Sequence, residues 1–186
     1  NYGEVFLNPQ LIDILEYAHR KHVWISIANG ANLNNVKENT LEALVKYGVH
    51  RLICSIDGAS PETYRIYRVR GDFDVVIRNI ETINAFKRQF QSELPQLTWQ
   101  FIVFGHNEHE IPIARAMAQT LGMSFRTKLT WDDRFSPIRD KQFVRDQTGE
   151  RATSRDEFEQ EKGHQYLNQI CRQLWDHPQI NWDGKI

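Results

Sequence analysis

The sequence predicts an α/β fold built on a parallel sheet. Two observations carry that prediction. Short apolar runs alternate with stretches of helical periodicity, and Gly, Asn or Asp punctuates most of the junctions. The chain has 186 residues, 40% of them hydrophobic, which is enough to enclose one core. Four strands fall short of the eight that close a β/α barrel, so an open sheet or part of a barrel is expected.

The elements follow in order. Asn8-Pro9 reads as a helix start, because Asn caps well and Pro suits the first helical position. Leu11, Ile12, Leu15, Ala18 and His19 continue that helix at the right spacing. Residues 23–28, apolar and β-branched, form the first strand and are closed by Asn29-Gly30. A helix from about Val36 through Val45 stops at Gly48, and residues 51–56 make the second strand. Ser60-Pro61-Glu62 opens a short helix carrying Tyr64 and Tyr67. Asp72 caps a longer one, whose Phe73, Val76, Ile77, Ile80, Ile83 and Phe90 share one stripe. Residues 97–104 are the third strand. Asn107 and Glu110 have capping-box spacing and open a helix that ends at Gly122, with Pro112 in its first turn. Residues 123–129 are the fourth strand. Beyond Thr130, residues 131–153 are charged and weakly periodic, which predicts a surface excursion. Ser154 and Glu157 predict a polar helix to about Ile170, and the tail from Cys171 reads as turns.

Composition narrows the function. Lys and Arg total 23 against 24 Asp and Glu, so no overall field draws the chain to nucleic acid, and none is expected as a partner. No apolar run reaches the roughly 20 residues that span a bilayer, so no membrane partner is expected either. Two cysteines make neither a disulfide framework nor a zinc quartet, and a reducing, cytoplasmic setting is the default expectation. No Gly-rich Walker or dinucleotide loop is present. His106, Glu108, His109 and Glu110 cluster in sequence, but three of them fall in a helix start and lack the His-Glu-x-x-His order of zinc peptidases. The preferred reading there is structural.

In a parallel sheet, ligands gather beyond the carboxyl ends of the strands. Those ends are Ala28-Asn29-Gly30, Ser55-Ile56-Asp57-Gly58, Gly105-His106-Asn107 and Lys128-Leu129-Thr130. Strand alternation puts Ser55 and Asp57 on one face with Ile53, and Leu52, Cys54 and Ile56 on the other. If the first face lines a pocket, Cys54 packs against the helices as a small buried hydrophobe. Trp24, Trp99 and Phe101 are read as core or helix-facing.

Taken in order, several segments resemble the radical S-adenosylmethionine (SAM) superfamily. They are Gly3-Glu4-Val5-Phe6-Leu7-Asn8-Pro9, Ile27-Ala28-Asn29-Gly30, Ser55-Ile56-Asp57-Gly58-Ala59, Tyr67 through Asp74, and Phe104 through Ile111. Cys171-Arg172-Gln173-Leu174-Trp175 followed by Ile180-Asn181-Trp182-Asp183-Gly184 resembles the opening of a SPASM-type domain, which carries auxiliary iron–sulfur clusters. The resemblance implies a partial, open radical-SAM-type β/α barrel over residues 1–130 and the beginning of a SPASM-like segment over 171–186. The charged excursion and polar helix, 131–170, lie between them.

The resemblance also implies roles. Gly3 and Glu4 match the family's Gly-Gly-Glu-Pro loop, which binds the SAM amino group; Tyr2 stands in place of the first Gly and Val5 in place of the Pro. A carboxylate suits an ammonium. Ser55 would contact the ribose or carboxylate of SAM, and Arg68 would pair with the carboxylate, with Arg70 as the alternative at this spacing. Asn29 and Asp57 would line the same cavity, and Cys171 would be an auxiliary-cluster ligand in the parent protein. The family's three-cysteine loop, Cys-x3-Cys-x2-Cys, is absent, and an iron–sulfur cluster needs thiolates close together. The expectation is therefore a truncated piece of a maturase-like radical SAM oxidoreductase. Its parent would reductively cleave SAM at an iron–sulfur cluster and use the resulting 5′-deoxyadenosyl radical to abstract hydrogen from a substrate, with a peptide as one expected class. The piece alone would bind no stable cluster and be inactive. The alternative is a non-catalytic α/β interaction module, and an exposed sheet edge would favour dimerisation in either case.

Overall fold

The computed structural model describes residues 4–130, 132 and 134–164. Four strands, β1 (Ser26–Ala31), β2 (Arg51–Ser55), β3 (Gln96–Ile102) and β4 (Ser124–Lys128), form one sheet in the order β1-β2-β3-β4. Every neighbouring pair is parallel. Before, between and after them lie α1 (Leu11–Arg20), α2 (Glu38–Lys46), α3 (Pro61–Tyr67), α4 (Phe73–Gln89), α5 (Ile111–Thr120), α6 (Lys141–Thr148) and α7 (Arg155–Lys162). When each strand is laid down on the same side of the last, right-handed crossovers place the connecting helices on one face only. That is the winding of a β/α barrel, of which the four strands make an open part.

The core obeys strand alternation. Leu52, Cys54 and Ile56 join Leu97, Trp99, Phe101 and Val103 in one cluster with helix residues such as Leu15, Leu44, Val76, Ile80 and Ala114. Trp99 lies against Phe73, ring centroids 6.4 Å apart, and donates its indole N–H to the Ile56 carbonyl at 2.7 Å. A buried indole that finds an acceptor loses no hydrogen bond on leaving water. Ser55, Asp57 and Gln100 are buried too, but on the face without helices, outside that cluster.

The strands predicted near 51–56, 97–104 and 123–129 appear close to their expected places, whereas the one predicted at 23–28 begins three residues later and runs through Asn29-Gly30. The end of α1 causes the shift: Val23 N–H closes that helix on the Ala18 carbonyl at 2.9 Å, and His22 takes a left-handed φ of 57°. Trp24 is consequently not core. It is 82% exposed and stacks on His50, with ring centroids 5.1 Å apart. The surface excursion expected at 131–153 contains a helix, α6. Asp140 caps it by accepting from Phe143 N–H at 2.9 Å, and Gly149 ends it with φ 72°. Helix α7 has the expected Ser154 cap but stops at Lys162, where Gly163 turns left-handed, rather than near Ile170. The predicted capping box at Asn107 and Glu110 is not formed; a 3-10 turn, Glu108–Glu110, precedes α5, and both side chains are used elsewhere.

Residues 134–140 fold back across the end of β3. Gly105 N–H donates to the Ser136 carbonyl at 2.9 Å, and the Glu108 carboxylate accepts from the N–H groups of Arg139 and Asp140 at 2.9 and 3.0 Å. Phe135 packs edge-on to Phe104, centroids 5.5 Å apart. Gly105 makes this approach possible, because a Cβ there would sit 1.9 Å from the Pro137 carbonyl oxygen. Backbone cannot step aside as a side chain can. Gly105→Ala is expected to cost about 1–3 kcal/mol, the usual range for overpacking, in urea denaturation. It should also speed proteolytic cleavage within 134–140. Unchanged stability and cleavage would show that the segment does not depend on this contact.

Candidate functional site

The helix-free face of the sheet is polar, and its residues stand in rows set by the register. Ser55 pairs with Gln100, and Gln100 with Arg126. Arg126 Nη2 donates to Gln100 Oε1, and Gln100 Nε2 donates to Ser55 Oγ at 3.4 Å. One row below, the Thr98 and Ser124 hydroxyls bond at 2.9 Å. One row above, Lys128 stands beside Ile102. Ala28 and Asn29 of β1, with Gln100, Arg126, Thr127 and Lys128, line a hollow of about 300 Å3. In a flat sheet β1 and β4 would stand roughly 14 Å apart, three strand spacings. Their sharing one hollow reflects the curl of an incomplete barrel.

Strand β1 bulges to reach this face. Ile27 pairs with Leu52 and Ala31 with Cys54, so β1 spends four steps where β2 spends two. Both ends of the bulge point into the core, and Asn29 is left exposed on the other side. Gly30 is required here on two counts. Its φ is 92°, and a Cβ would lie 2.2 Å from Ser55 Oγ. Ser55 is thus packed beneath the β1 backbone and bonded to Gln100.

Asp57, fully buried, closes the end of β2. Its Oδ1 accepts from Ile102 N–H at 2.7 Å, and its Oδ2 accepts from Arg68 Nε and Nη2 at 2.7 and 2.6 Å. Burial raises the Asp57 pKa above its ordinary 3.8, and the Arg68 charge and the Ile102 N–H offset part of that rise. Arg68 arrives from the C-terminal end of α3, and its side chain is 24% exposed. Arg70, the alternative at this spacing, is exposed in the following turn with φ 64°. The fold therefore brings Arg68, not Arg70, to the strand ends.

Glu4 lies at the same rim. Its Oε2 accepts from Asn32 N–H at 2.8 Å, just past β1, and its Oε1 from Phe6 N–H at 3.4 Å. Burial raises its pKa, while the Asn32 and Phe6 N–H groups and the charge of Arg68 pull it back. A carboxylate offers about four acceptor sites, so two backbone donors do not exhaust it. Gly3 and Cys171 lie outside the described residues, as does the segment from 171 onward.

Three pieces of the site were not legible as such. Asn107, read as a cap, donates Nδ2 to the carbonyls of Asp57 and Ile102, each at 3.0 Å, tying the ends of β2 and β3. Glu110 caps α3 from across the molecule, accepting from Ala59 N–H and Ser60 Oγ at 2.7 Å and from Thr63 Oγ1. Gln100, Arg126 and Lys128 share a face with Ser55 only once the register is known. The alternation of β3 and β4 marked their parity but not their partners.

The family model of the radical SAM superfamily matches residues 2–119. The chain belongs to the radical SAM superfamily. No curated protein matches it. The four parallel strands and one-sided helices are then part of a radical SAM β/α barrel, and the superfamily's chemistry calls for SAM and an iron–sulfur cluster. The two cofactors fare differently on these residues. A carboxylate at Glu4, a guanidinium at Arg68 and the polar helix-free face suit the zwitterionic end of SAM. The cluster is not accommodated: among the described residues no three His, Cys, Asp or Glu are grouped for a metal. Cys54 faces the helices, and burial, with the Glu4 charge adding, pushes its thiol up to about 12. It is a core residue.

Removing the Asp57 side chain would strand Arg68 and the Ile102 N–H together. Asp57→Ala is expected to cost about 3–5 kcal/mol in denaturant unfolding, and Asp57→Asn less, because an amide oxygen can still accept from Ile102. Because the folded pKa is raised, the Asp57 contribution is fully present below pH 3.8 and is lost as pH rises through the folded value. Asp57→Asn should remove that segment of the stability–pH curve. A curve identical to wild type would contradict the assignment.

Proposed function

We propose that this chain is the SAM-binding part of a radical SAM enzyme, with the methionine end of SAM held across the helix-free face at the strand ends. Glu4 takes the ammonium and Arg68 the carboxylate, while Asn29 and Ser55 border the ribose side. One observation carries the reading: Glu4, the β2 end with Ser55 and Asp57, and Arg68 come from three separate segments and meet at one rim, close enough that Arg68 shifts the titration of both carboxylates. SAM supplies the radical chemistry when bound, and the protein supplies orientation. Asp57 fixes the plane of the Arg68 guanidinium by taking two of its donors, which leaves the outer edge of the fork for a second carboxylate. Gly30 lets the β1 backbone lie directly against Ser55, where a Cβ would sit 2.2 Å from its Oγ.

The thiolates of a cluster would have to come from residues other than the described ones. In this reading Cys171 belongs to a SPASM-like continuation, the substrate is a peptide and the chain acts within a larger oxidoreductase of the maturase type. The inert Cys54 also favours a second reading, a cluster-free module that retains the pocket as an interaction site.

Two measurements test these readings. Glu4→Gln or Arg68→Lys should weaken SAM binding by about 1.5–3 kcal/mol, roughly 10- to 150-fold, by calorimetric titration, while Arg70→Ala changes little. If Arg70→Ala abolishes binding and Arg68→Lys does not, the arginine is misassigned; if none matters, the pocket reading fails. Anaerobic reconstitution with iron and sulfide should leave the 186-residue chain without a stoichiometric cluster, since two cysteines cannot give three thiolates. About four irons per monomeric chain would contradict the ligand analysis.

A further inference from the structure

Glu4 and Arg68 stand on separate segments, and a chain of hydrogen bonds joins those segments through Asn34, a side chain that the SAM-binding reading leaves unused. Asn34 lies in the loop between β1 and α2. Beside it, Asn32 donates its N–H to Glu4 Oε2 at 2.8 Å, and Asn32 Oδ1 accepts from the N–H and the Nδ2 of Asn34 at 3.0 and 2.9 Å. The rest of the Asn34 amide is turned to the segment that carries Arg68. Its Nδ2 donates to Tyr64 Oη on α3 at 2.7 Å, and its Oδ1 accepts from Asp72 N–H, at the start of α4, at 2.6 Å. Tyr64 and Asp72 bracket Arg68 in the chain. An amide carries two N–H donors and an acceptor oxygen, and here all of them are engaged; neither isostere, Asp or Leu, offers both kinds.

We propose that Asn34 is a positioning residue: it locks Glu4 and Arg68 into a single clamp of fixed spacing for the ammonium and carboxylate of SAM. The inference rests on the reading above for its ligand, though not for the linkage itself. The turn that Asn34 holds is also packed from within. Arg68 N–H closes α3 on the Tyr64 carbonyl at 3.0 Å, and Gly71 N–H bonds the Arg68 carbonyl at 2.7 Å. A Cβ on Gly71 would meet the Tyr64 ring at 2.6 Å. Burial raises the Tyr64 pKa above its ordinary 10.0, while the Asn34 hydrogen bond and the Arg68 charge offset part of that rise, so the phenol stands near both. Ordering loops on binding subtracts from affinity, and opposite charges set at a fixed spacing beforehand spare a zwitterion that cost. Without Asn34 the turn would lose its tie to the Glu4 side, and Arg68 would be held to the strand ends by its pair with Asp57.

The test pairs calorimetric titration of the full chain with NMR of the Arg68 Nε–H in the unliganded protein. The ligands are SAM and 5′-methylthioadenosine, which lacks the amino-acid end. Asn34→Ala is expected to weaken SAM roughly tenfold and to leave 5′-methylthioadenosine within about twofold of wild type. The Arg68 Nε–H, bonded to Asp57 Oδ2, should exchange faster with solvent in that variant. In an Arg68→Lys background the loss from Asn34→Ala should shrink, because no guanidinium is left to aim. Tyr64→Phe cuts the link to α3 alone and should show the same selectivity with a smaller loss; it replaces Asn34→Ala in every comparison should that variant not fold. Equal SAM affinity in wild type and Asn34→Ala would overturn the proposal. An equal loss for both ligands would overturn it too, by showing a role in the fold alone. A wild-type chain that binds no SAM would instead refute the proposed function. The free protein then decides the linkage: faster Arg68 exchange in Asn34→Ala sustains it, and unchanged exchange overturns it.

Discussion

The buried Asp57 carboxylate is the constraint around which the strand ends are arranged. An ionised carboxylate without solvent must be met by donors, and here an N–H of β3 and two N–H groups of Arg68 meet it. The consequences spread outward. Arg68 can reach Asp57 only if α3 ends where it does, and the start of α3 is pinned by Glu110 from the far side of β3. Asn107 ties the Asp57 and Ile102 carbonyls together, so the two strands end in fixed relation. The carboxylates and the Asn107 amide are buried and satisfied, with Arg68 half-buried beside them, a network in which the loss of one member strands the others.

A division between two faces follows from the one-way strand order. With the helices on one side, alternate residues of every strand go to an apolar layer, where Cys54 and Trp99 sit. The remainder go to the face opposite the helices, where Ser55 and Gln100 are buried. That face also holds Arg126 and Lys128, and its curvature brings β1 and β4 around a common hollow. Position on a face, more than residue type, sets chemistry here: Cys54 is one residue from Ser55, yet its thiol is inert while the serine hydroxyl lies among polar groups.

How much of this could be read beforehand depended on range. Local signals succeeded where one segment decides its own state: Ser60 and Asp72 cap their helices as their spacing indicates. The parity of Ser55, Asp57 and Cys54 followed from strand alternation alone. Local signals misled where a neighbour intervened. The run Val23-Trp24-Ile25 has strong strand propensity, but the end of α1 takes the Val23 N–H, and Asn29-Gly30, which looks like a stop, is a bulge over Ser55. Helix α6 was hidden because only two adjacent apolar residues, Phe143 and Val144, anchor an otherwise polar segment. Partners of Asp57, Asn107 and Glu110 lie as far as 51 residues away, and no pattern in one segment names a partner in another.

The central claim is that SAM binds on the helix-free face at the strand ends, and amide hydrogen exchange with and without saturating SAM tests it most directly. Binding there should slow exchange in the peptides spanning 28–34, 55–59 and 66–72, while the helix layer of α2 and α4, already packed in the core, stays unchanged. Protection confined to the helix layer, or none at the three strand-end segments when SAM is shown to be bound, would contradict the account.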